Sequence, residues 1–165
     1  YGKRYTIWSP KDNQPCQDHD RSKGEGIKCQ EYTLISFKVE GLKIDIGDFD
    51  DSKDINLIAA TMRPETMFGL SNLWVHPELE YGLYQHEYES VNDYVIMLPR
   101  AAKNLMYQDH KLILVKLVKG QELIGLKVTQ CQIVNPIPIL PMLQINDSKG
   151  TGIVSSGSGG MGTQK

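Results

Sequence analysis

Apolar and polar positions alternate most regularly over Tyr32 to Val39, Tyr-Thr-Leu-Ile-Ser-Phe-Lys-Val, a period of two that predicts a half-buried strand. Ile55 to Ala60 is almost continuously apolar and predicts a buried strand, and the acidic stretch from Gly47 to Asp54 between the two reads as a solvated loop. Leu73-Trp74-Val75 predicts a short strand ended by His76-Pro77, and Tyr94-Val95-Ile96-Met97 another ended by Pro99. Arg100 to Tyr107 has helical composition behind that proline. Leu112 to Val118 and Lys127 to Val134 carry further strand signals, while the prolines of Pro136 to Leu143 place that run at an edge or a bend. Near the start, Tyr5 to Ser9 and the residues after Gln17 flank Pro10-Lys11-Asp12-Asn13, the turn formers of a hairpin or tight loop. Many short strands with one or two short helices predict an α+β, β-rich fold: a closed or nearly closed barrel with helical decoration.

The buried run leads into Ala59-Ala60-Thr61-Met62-Arg63-Pro64-Glu65-Thr66-Met67-Phe68-Gly69, which reads as a strand ending in a short helical turn. Pro64 holds Arg63 extended and suits the first helical position, where its missing N–H would be unpaired in any case. Gly69 can close the turn in a left-handed conformation. Two threonine hydroxyls and a guanidinium then meet at a helix start, among N–H groups suited to the polar atoms of an ester or phosphodiester. By residue type alone this is also an ordinary strand-to-helix junction with its cap.

Thr61-Met62-Arg63-Pro64-Glu65-Thr66, followed by Met67-Phe68-Gly69, resembles the threonine-rich signature of the editing domain of leucyl-, isoleucyl- and valyl-tRNA synthetases. Lys149-Gly150-Thr151-Gly152-Ile153-Val154-Ser155-Ser156 resembles the second signature of that domain, a G-T-G strand lying across from the first, at the right order and separation. Tyr1 to Pro10, Gln14 to Arg21, Gly24-Glu25-Gly26 and Gln30 to Ile35 are similar, more narrowly, to the leucyl enzyme of the eukaryotic cytosolic type. The likeness runs from Tyr1 to Ser156, which implies an editing domain over residues 1–156 and a Gly/Ser-rich, linker-like tail over residues 157–165.

What the resemblance implies is a second sieve. An aminoacylation site separates side chains differing by one methylene by only about 1–3 kcal/mol, so accuracy needs a site that hydrolyses what slips through. The 3′ end of a mischarged tRNA would enter, and water would cleave the ester to the terminal ribose. Thr61 and Arg63 would carry catalysis by holding the ester, the terminal adenosine and its phosphate. Thr66 would be the gate that excludes leucine and admits norvaline, with Met62, Met67 and Phe68 binding substrate beside it. Gly150, Thr151 and Gly152 would bring backbone close to the ligand, and Ser155 would line the amino-acid pocket. The resemblance implies no metal or cofactor for editing. ATP and magnesium would serve a separate catalytic domain of the parent synthetase, whose remainder is the other implied partner. The chain departs from the family after the G-T-G strand, where a proline-containing loop leads to an aspartate anchoring the substrate's α-amino group. Gly157-Ser158-Gly159-Gly160 stands there instead, no Asp or Glu follows Asp147, and an engineered junction is the expectation.

Composition narrows the choice further. At 165 residues the chain is one domain by size, and its abrupt start at Tyr1-Gly2-Lys3 reads as a cut from a longer protein. A formal charge of −2 gives no reason for strong binding along a duplex, so RNA contact should be local, to an end or loop. Cys16, Cys29 and Cys131 lack metal-ligand spacing and are odd in number, which favours reduced thiols in a cytoplasmic protein over a disulfide framework. No apolar run spans a bilayer and no leader opens the chain. Gly157-Ser158-Gly159-Gly160-Met161-Gly162 fits a dinucleotide-binding pattern, but no helix or acidic residue follows it. His19, His76, His86 and His110 have no ligand spacing, and Asp18-His19-Asp20 has no nucleophile beside it. Two alternatives stay open: the isoleucyl or valyl editing domain, and a non-catalytic module that binds nucleoside or the tRNA end.

Overall fold

The computed structural model describes residues 6, 8–15, 31–42, 53–88, 91–130, 133 and 135–157. Cys16, Cys29, Cys131, His19 with its flanking aspartates, the 47–52 part of the acidic loop and the 158–165 part of the tail lie outside the described residues. Two compact units divide the chain, Tyr1–Tyr32 and Thr33–Lys165. The first contains a hairpin of β1 (Trp8–Ser9) and β2 (Gln14–Pro15), joined by the expected turn with Asn13 at φ 53°.

The second unit is built on β3 (Thr33–Glu40), β4 (Ile55–Thr61), β5 (Leu70–Val75), β6 (Glu80–Tyr88), β7 (Val91–Met97), β8 (Lys111–Lys119), β9 (Lys127–Thr129), β10 (Ile137–Pro141) and β11 (Ile153–Gly157). These pair in the order β11-β5-β10-β9-β3-β4-β7-β6-β8, with β4/β7 and β5/β10 parallel and the rest antiparallel. The fold is β-rich with few short helices, as expected, but the sheet is not a closed barrel: it curls until β11 lies against β4, and its end strands do not pair. β8 explains why its end stays open. Val115 is an extra residue between Lys116, opposite Leu83, and Leu114, opposite Tyr84, and Lys111, Lys116 and Lys119 line the strand. A bulge and a row of lysines both discourage further pairing at an edge.

The concave face holds the main core, including Phe37, Leu57, Leu73, Leu83, Ile96, Val128 and Ile139, while Ile58, Tyr84, Val95 and Met97 on the opposite face pack under α1 (Pro99–Met106). This is why β4 reads as a continuous apolar run: Ile55, Leu57 and Ala59 enter the main core and Ile58 enters the second. Pro99 opens α1 at its first turn and Ala101 and Ala102 form its buried face. A four-residue helix, α2 (Gly120–Leu123), follows β8. No helix among the described residues is long and apolar enough to cross a membrane.

Two expectations change. The Pro136 to Leu143 run is interior, because β10 divides its two sides: Ile137 and Pro138 pair with β9, while Ile139, Leu140 and Pro141 pair with β5. Short ladders on alternate sides let prolines stand at their ends without interrupting either. Gly69 is not left-handed; the turn runs straight into β5 through Leu70, whose N–H donates to the Met67 carbonyl.

Tyr81 fixes the sheet end to the loop before β11. Its side chain is fully buried; the hydroxyl donates to the Gly152 carbonyl at 2.8 Å and accepts from the His76 N–H at 3.1 Å. Burial pushes its phenol pKa up, opposed by the His76 bond. Gly152 is left-handed at φ 78°, and a Cβ there would meet the Leu98 side chain at 2.4 Å, so only glycine fits. Tyr81→Phe keeps the ring but strands the buried Gly152 carbonyl and the half-buried His76 N–H; a loss of about 2 kcal/mol is expected in urea unfolding.

His86 Nε2 and His110 Nδ1 lie 3.0 Å apart with the rings stacked. One ring must donate and the other accept, so at least one is neutral. Burial, then the charge of His110, lowers the His86 pKa below its ordinary 6.5, against a smaller opposing effect of Asp93. As pH falls, the unfolded chain takes up this proton first, so the stability present above pH 6.5 is lost on acidification through the lower, folded value. Urea midpoints should therefore drop as pH falls below 6.5, and His86→Gln should flatten that dependence.

Candidate functional site

Full burial ends at Ala59; Ala60 and Thr61 at the end of β4 are half-buried, and the chain reverses there. Arg63, at φ −129° and ψ 77°, is kept out of the helical region by the following proline but falls short of the extended conformation expected for it, and Pro64–Gly69 form a 3-10 turn with Pro64 at its start. The two threonines hold this reversal by its middle residue. The Arg63 N–H donates to Thr61 Oγ1 at 3.0 Å, and the Arg63 carbonyl accepts from Thr66 Oγ1 at 2.7 Å and from the Thr66 N–H at 3.1 Å.

These bonds assign protons. An amide N–H can only donate, so Thr61 Oγ1 accepts there and its own hydroxyl proton remains available to a ligand. A carbonyl can only accept, so the Thr66 proton is spent and its oxygen offers lone pairs alone. The Thr66 N–H is spent too, which removes one of the backbone donors expected to point outward. The turn thus presents one donor hydroxyl, one acceptor hydroxyl, the exposed Arg63 guanidinium and the exposed Glu65 carboxylate. Met62 and Phe68 are exposed at 62% and 78%, enough of Phe68 to offer a ring face to a planar ligand, while Met67 packs inward on the core.

β11 supplies the other wall. Ile153 pairs with Val75, Ser155 with Leu73, Ser156 with Asn72 and Gly157 with Leu70, with a register shift at the last step. Directly opposed residues share a sheet face, so Ser155 lies on the core side with Leu73, and Thr61, opposite Thr33, continues the core side of Leu57 and Ala59. Thr61, Met67 and Ser155 therefore converge on the rim of the concave face, since β11 also lies against β4 and the turn. At the strand's end Gly157 passes so close that a Cβ would be 3.0 Å from the Gly69 carbonyl oxygen and 3.5 Å from that of Thr66.

Gly150, Thr151 and Gly152 are not brought to that rim. They sit at the far end of β11, five residues or about 17 Å from Gly157 along an extended strand. There the Thr151 carbonyl accepts from the Leu98 N–H and Gly152 is held by Tyr81. Their geometry sets the register of β11, which in turn delivers Ser155 to the turn. Two residues next to the turn drew no attention in the sequence. Ser71 Oγ lies 2.8 Å from Asn72 Oδ1 and 3.0 Å from the Ser156 carbonyl oxygen, with its single proton shared between these two acceptors. Asn72 is buried, with its Nδ2 unpaired among the described residues. A polar residue inside the apolar run Leu70 to Val75 was the available signal.

Because the turn is exposed, its side-chain bonds contribute little to stability. Thr61→Val is expected to lower it by no more than about 1 kcal/mol, measured by urea unfolding, so any larger effect on ligand binding reports the lost donor.

No family model matches the chain. Among characterised proteins it is 44% identical over 171 residues to the cytoplasmic leucine–tRNA ligase of Pongo abelii, covering 94% of this chain and 14% of the relative. It is 46% identical over 162 residues to that of Arabidopsis thaliana, covering 93% of this chain and again 14% of the relative. The chain thus spans about one seventh of the length of these relatives. Among solved structures, the editing domain of the P. knowlesi cytosolic leucyl-tRNA synthetase superposes with a TM-score of 0.67 at 26% identity, covering 77% of this chain and 56% of that one.

Proposed function

The chain belongs to the leucyl-tRNA synthetase family, as a counterpart of the editing domain of the cytosolic enzymes, and from that premise we propose that it hydrolyses the ester of mischarged tRNA, norvalyl-tRNA foremost. The observation that carries this reading is the pair of threonines bonded to the Arg63 backbone with opposite hydrogen-bond sense, on the rim shared with Ser155.

Water adding to an ester carbonyl places negative charge on its oxygen, and a fixed donor aimed at that oxygen lowers the barrier. Thr61 is the hydroxyl with a proton to give. Arg63 holds the phosphate of the terminal nucleotide, and the exposed ring of Phe68 gives its base a surface to stack on. Thr66, held through its oxygen, presents a side chain of fixed position and is the gate: a leucine side chain collides with it and the unbranched norvaline chain passes. Ser155 lines the space behind the gate. Gly150, Thr151 and Gly152 serve through the register of β11. The reading invokes no metal or cofactor for this step; ATP and magnesium belong to a separate aminoacylation domain of the parent synthetase, in the cytoplasm. The partners are the 3′ end of mischarged tRNA and the rest of that synthetase.

One observation favours a second reading, a module that binds the tRNA end without cleaving it. No side-chain carboxylate occurs among residues 148–165, where the family's aspartate would be expected to hold the substrate's α-ammonium. Deacylation of norvalyl-tRNA separates the two. The chain is expected to act slowly, and replacing residues 157–160 by a proline-to-aspartate loop should accelerate it at least about tenfold, the equivalent of one charge-assisted bond. Absence of deacylation by both forms would leave only the binding module. In the accelerated form, Thr66→Ala should raise the rate on leucyl-tRNA relative to norvalyl-tRNA by about 10–100-fold; an unchanged ratio would remove Thr66 from the gate.

A further inference from the structure

The ladder between β5 and β11 changes step once. Ile153, Val154, Ser155 and Ser156 oppose Val75, Trp74, Leu73 and Asn72 in turn, but Gly157 opposes Leu70. Ser71 is therefore an extra residue in β5, a bulge, and it falls outside the stretch Leu73 to Val75 that pairs with β10.

The bulge decides how β5 leaves the turn. Without it Ser71 would stand opposite Gly157 on the core side and Leu70 would face outward, because side chains alternate along a strand. With it Leu70 keeps its place against the main core and Gly157 comes abreast of it. The end of β11 thereby closes on the turn, where a Cβ on Gly157 would lie 3.0 Å from the Gly69 carbonyl oxygen.

A bulge interrupts the ladder, and here a side chain bridges the interruption. Ser71 Oγ reaches the Ser156 carbonyl oxygen at 3.0 Å, one residue from Ser155 on the rim and one from Gly157. Asn72 Oδ1 stands 2.8 Å from the same hydroxyl. The Asn72 side chain is 8% exposed and its Nδ2 is unpaired among the described residues. Turned over, the amide would donate from Nδ2 to the Ser71 oxygen and leave the hydroxyl proton wholly to Ser156. In either sense the hydroxyl lies between two polar neighbours, one of which is the backbone of β11.

We infer that Ser71 is a positioning residue of the ester site: its hydroxyl latches the end of β11 to the bulge and so fixes Ser155 relative to the Thr66 gate. It acts through Ser155, and the inference rests on the ester-site reading above. The test compares Ser71→Ala, which removes the hydroxyl, with Ser71→Thr, which keeps it. Ser71 is exposed, so both variants should retain the native far-UV circular dichroism. Hydrogen exchange of the peptides covering residues 64–70 and 153–157 should quicken about fivefold in Ser71→Ala, as for the loss of one exposed bond, and return to the native rate in Ser71→Thr. Calorimetric titration with non-hydrolysable 3′-amide analogues of norvalyl- and leucyl-adenosine should show the norvalyl preference falling about fivefold in the alanine variant and recovering in the threonine variant. Unchanged exchange in Ser71→Ala overturns the inference, as does quickened exchange with an unchanged preference, or either readout left altered in Ser71→Thr. If exchange follows the expectation while neither analogue binds the native chain, the latch stands and the ester-site reading falls.

Discussion

The structure depends on β4 being buried on both faces. Ile55, Leu57 and Ala59 fill the concave core while Ile58 is covered by α1, so the strand has no freedom to slide or twist. A one-residue slip would exchange the two sets of side chains between unlike environments, which is the strongest constraint a strand can have on its register. The reversal after Thr61 inherits that rigidity. An exposed six-residue turn with no buried residues of its own would otherwise be a poor place for chemistry that depends on fixed hydroxyl positions. Here its first anchor, Thr61, is the last residue of a strand buried on both faces.

The second wall is positioned from the opposite end. Tyr81 and Leu98 grip the Gly150-Thr151-Gly152 loop, and that grip starts β11 opposite Val75. Four residues later the strand reaches the threonine turn, close enough that a side chain on its last residue would crowd the Gly69 carbonyl. A site on the rim is thus held by two buried clusters that do not themselves touch ligand. The Gly-Thr-Gly motif acts through one of them, which reconciles its recurrence beside the threonine signature with its distance from the hydroxyls.

How much was legible follows from how local each determinant is. The turn was readable because Pro64, the two threonines and the preceding apolar run act within eleven residues, and the half-buried alternation of β3 was equally plain. β6 was missed: Tyr81, Gly82, Leu83 and Tyr84 are consecutively buried, and the strand then passes into Gln85, His86 and Glu87, so neither period stands out. The interior place of β10 was hidden because its prolines are tolerated only by pairing with β9 and β5 over different residues, a fact of long-range pairing. Barrel closure failed for the same reason, since it turned on the bulge at Val115, which the neighbouring strand alone reveals. The candidate residues were legible as a set, but their division into those on the rim and those that set register required the pairing of β11.

The opposite senses of the two threonine hydroxyls give the turn a chemical polarity that residue types alone do not carry. Both side chains could in principle donate to a ligand, and a site built from two donors would favour an anion without discriminating a developing charge from a resident phosphate. Spending the Thr66 proton on the Arg63 carbonyl removes that ambiguity. It leaves Thr61 as the donor hydroxyl of the pair and makes Thr66 an acceptor, poor at holding an oxyanion but able to receive a hydrogen bond from water or an ammonium. The same bond fixes the rotamer that a steric gate needs. No side-chain carboxylate occurs among residues 148–165, so this acceptor and the exposed Glu65 carboxylate are the features of the turn whose sense suits a cationic substrate end. On the proposed reading binding and cleavage are therefore separable: the strand and turn proposed to place the ester lie within the described residues, whereas residues 148–165 supply no carboxylate for the amino end.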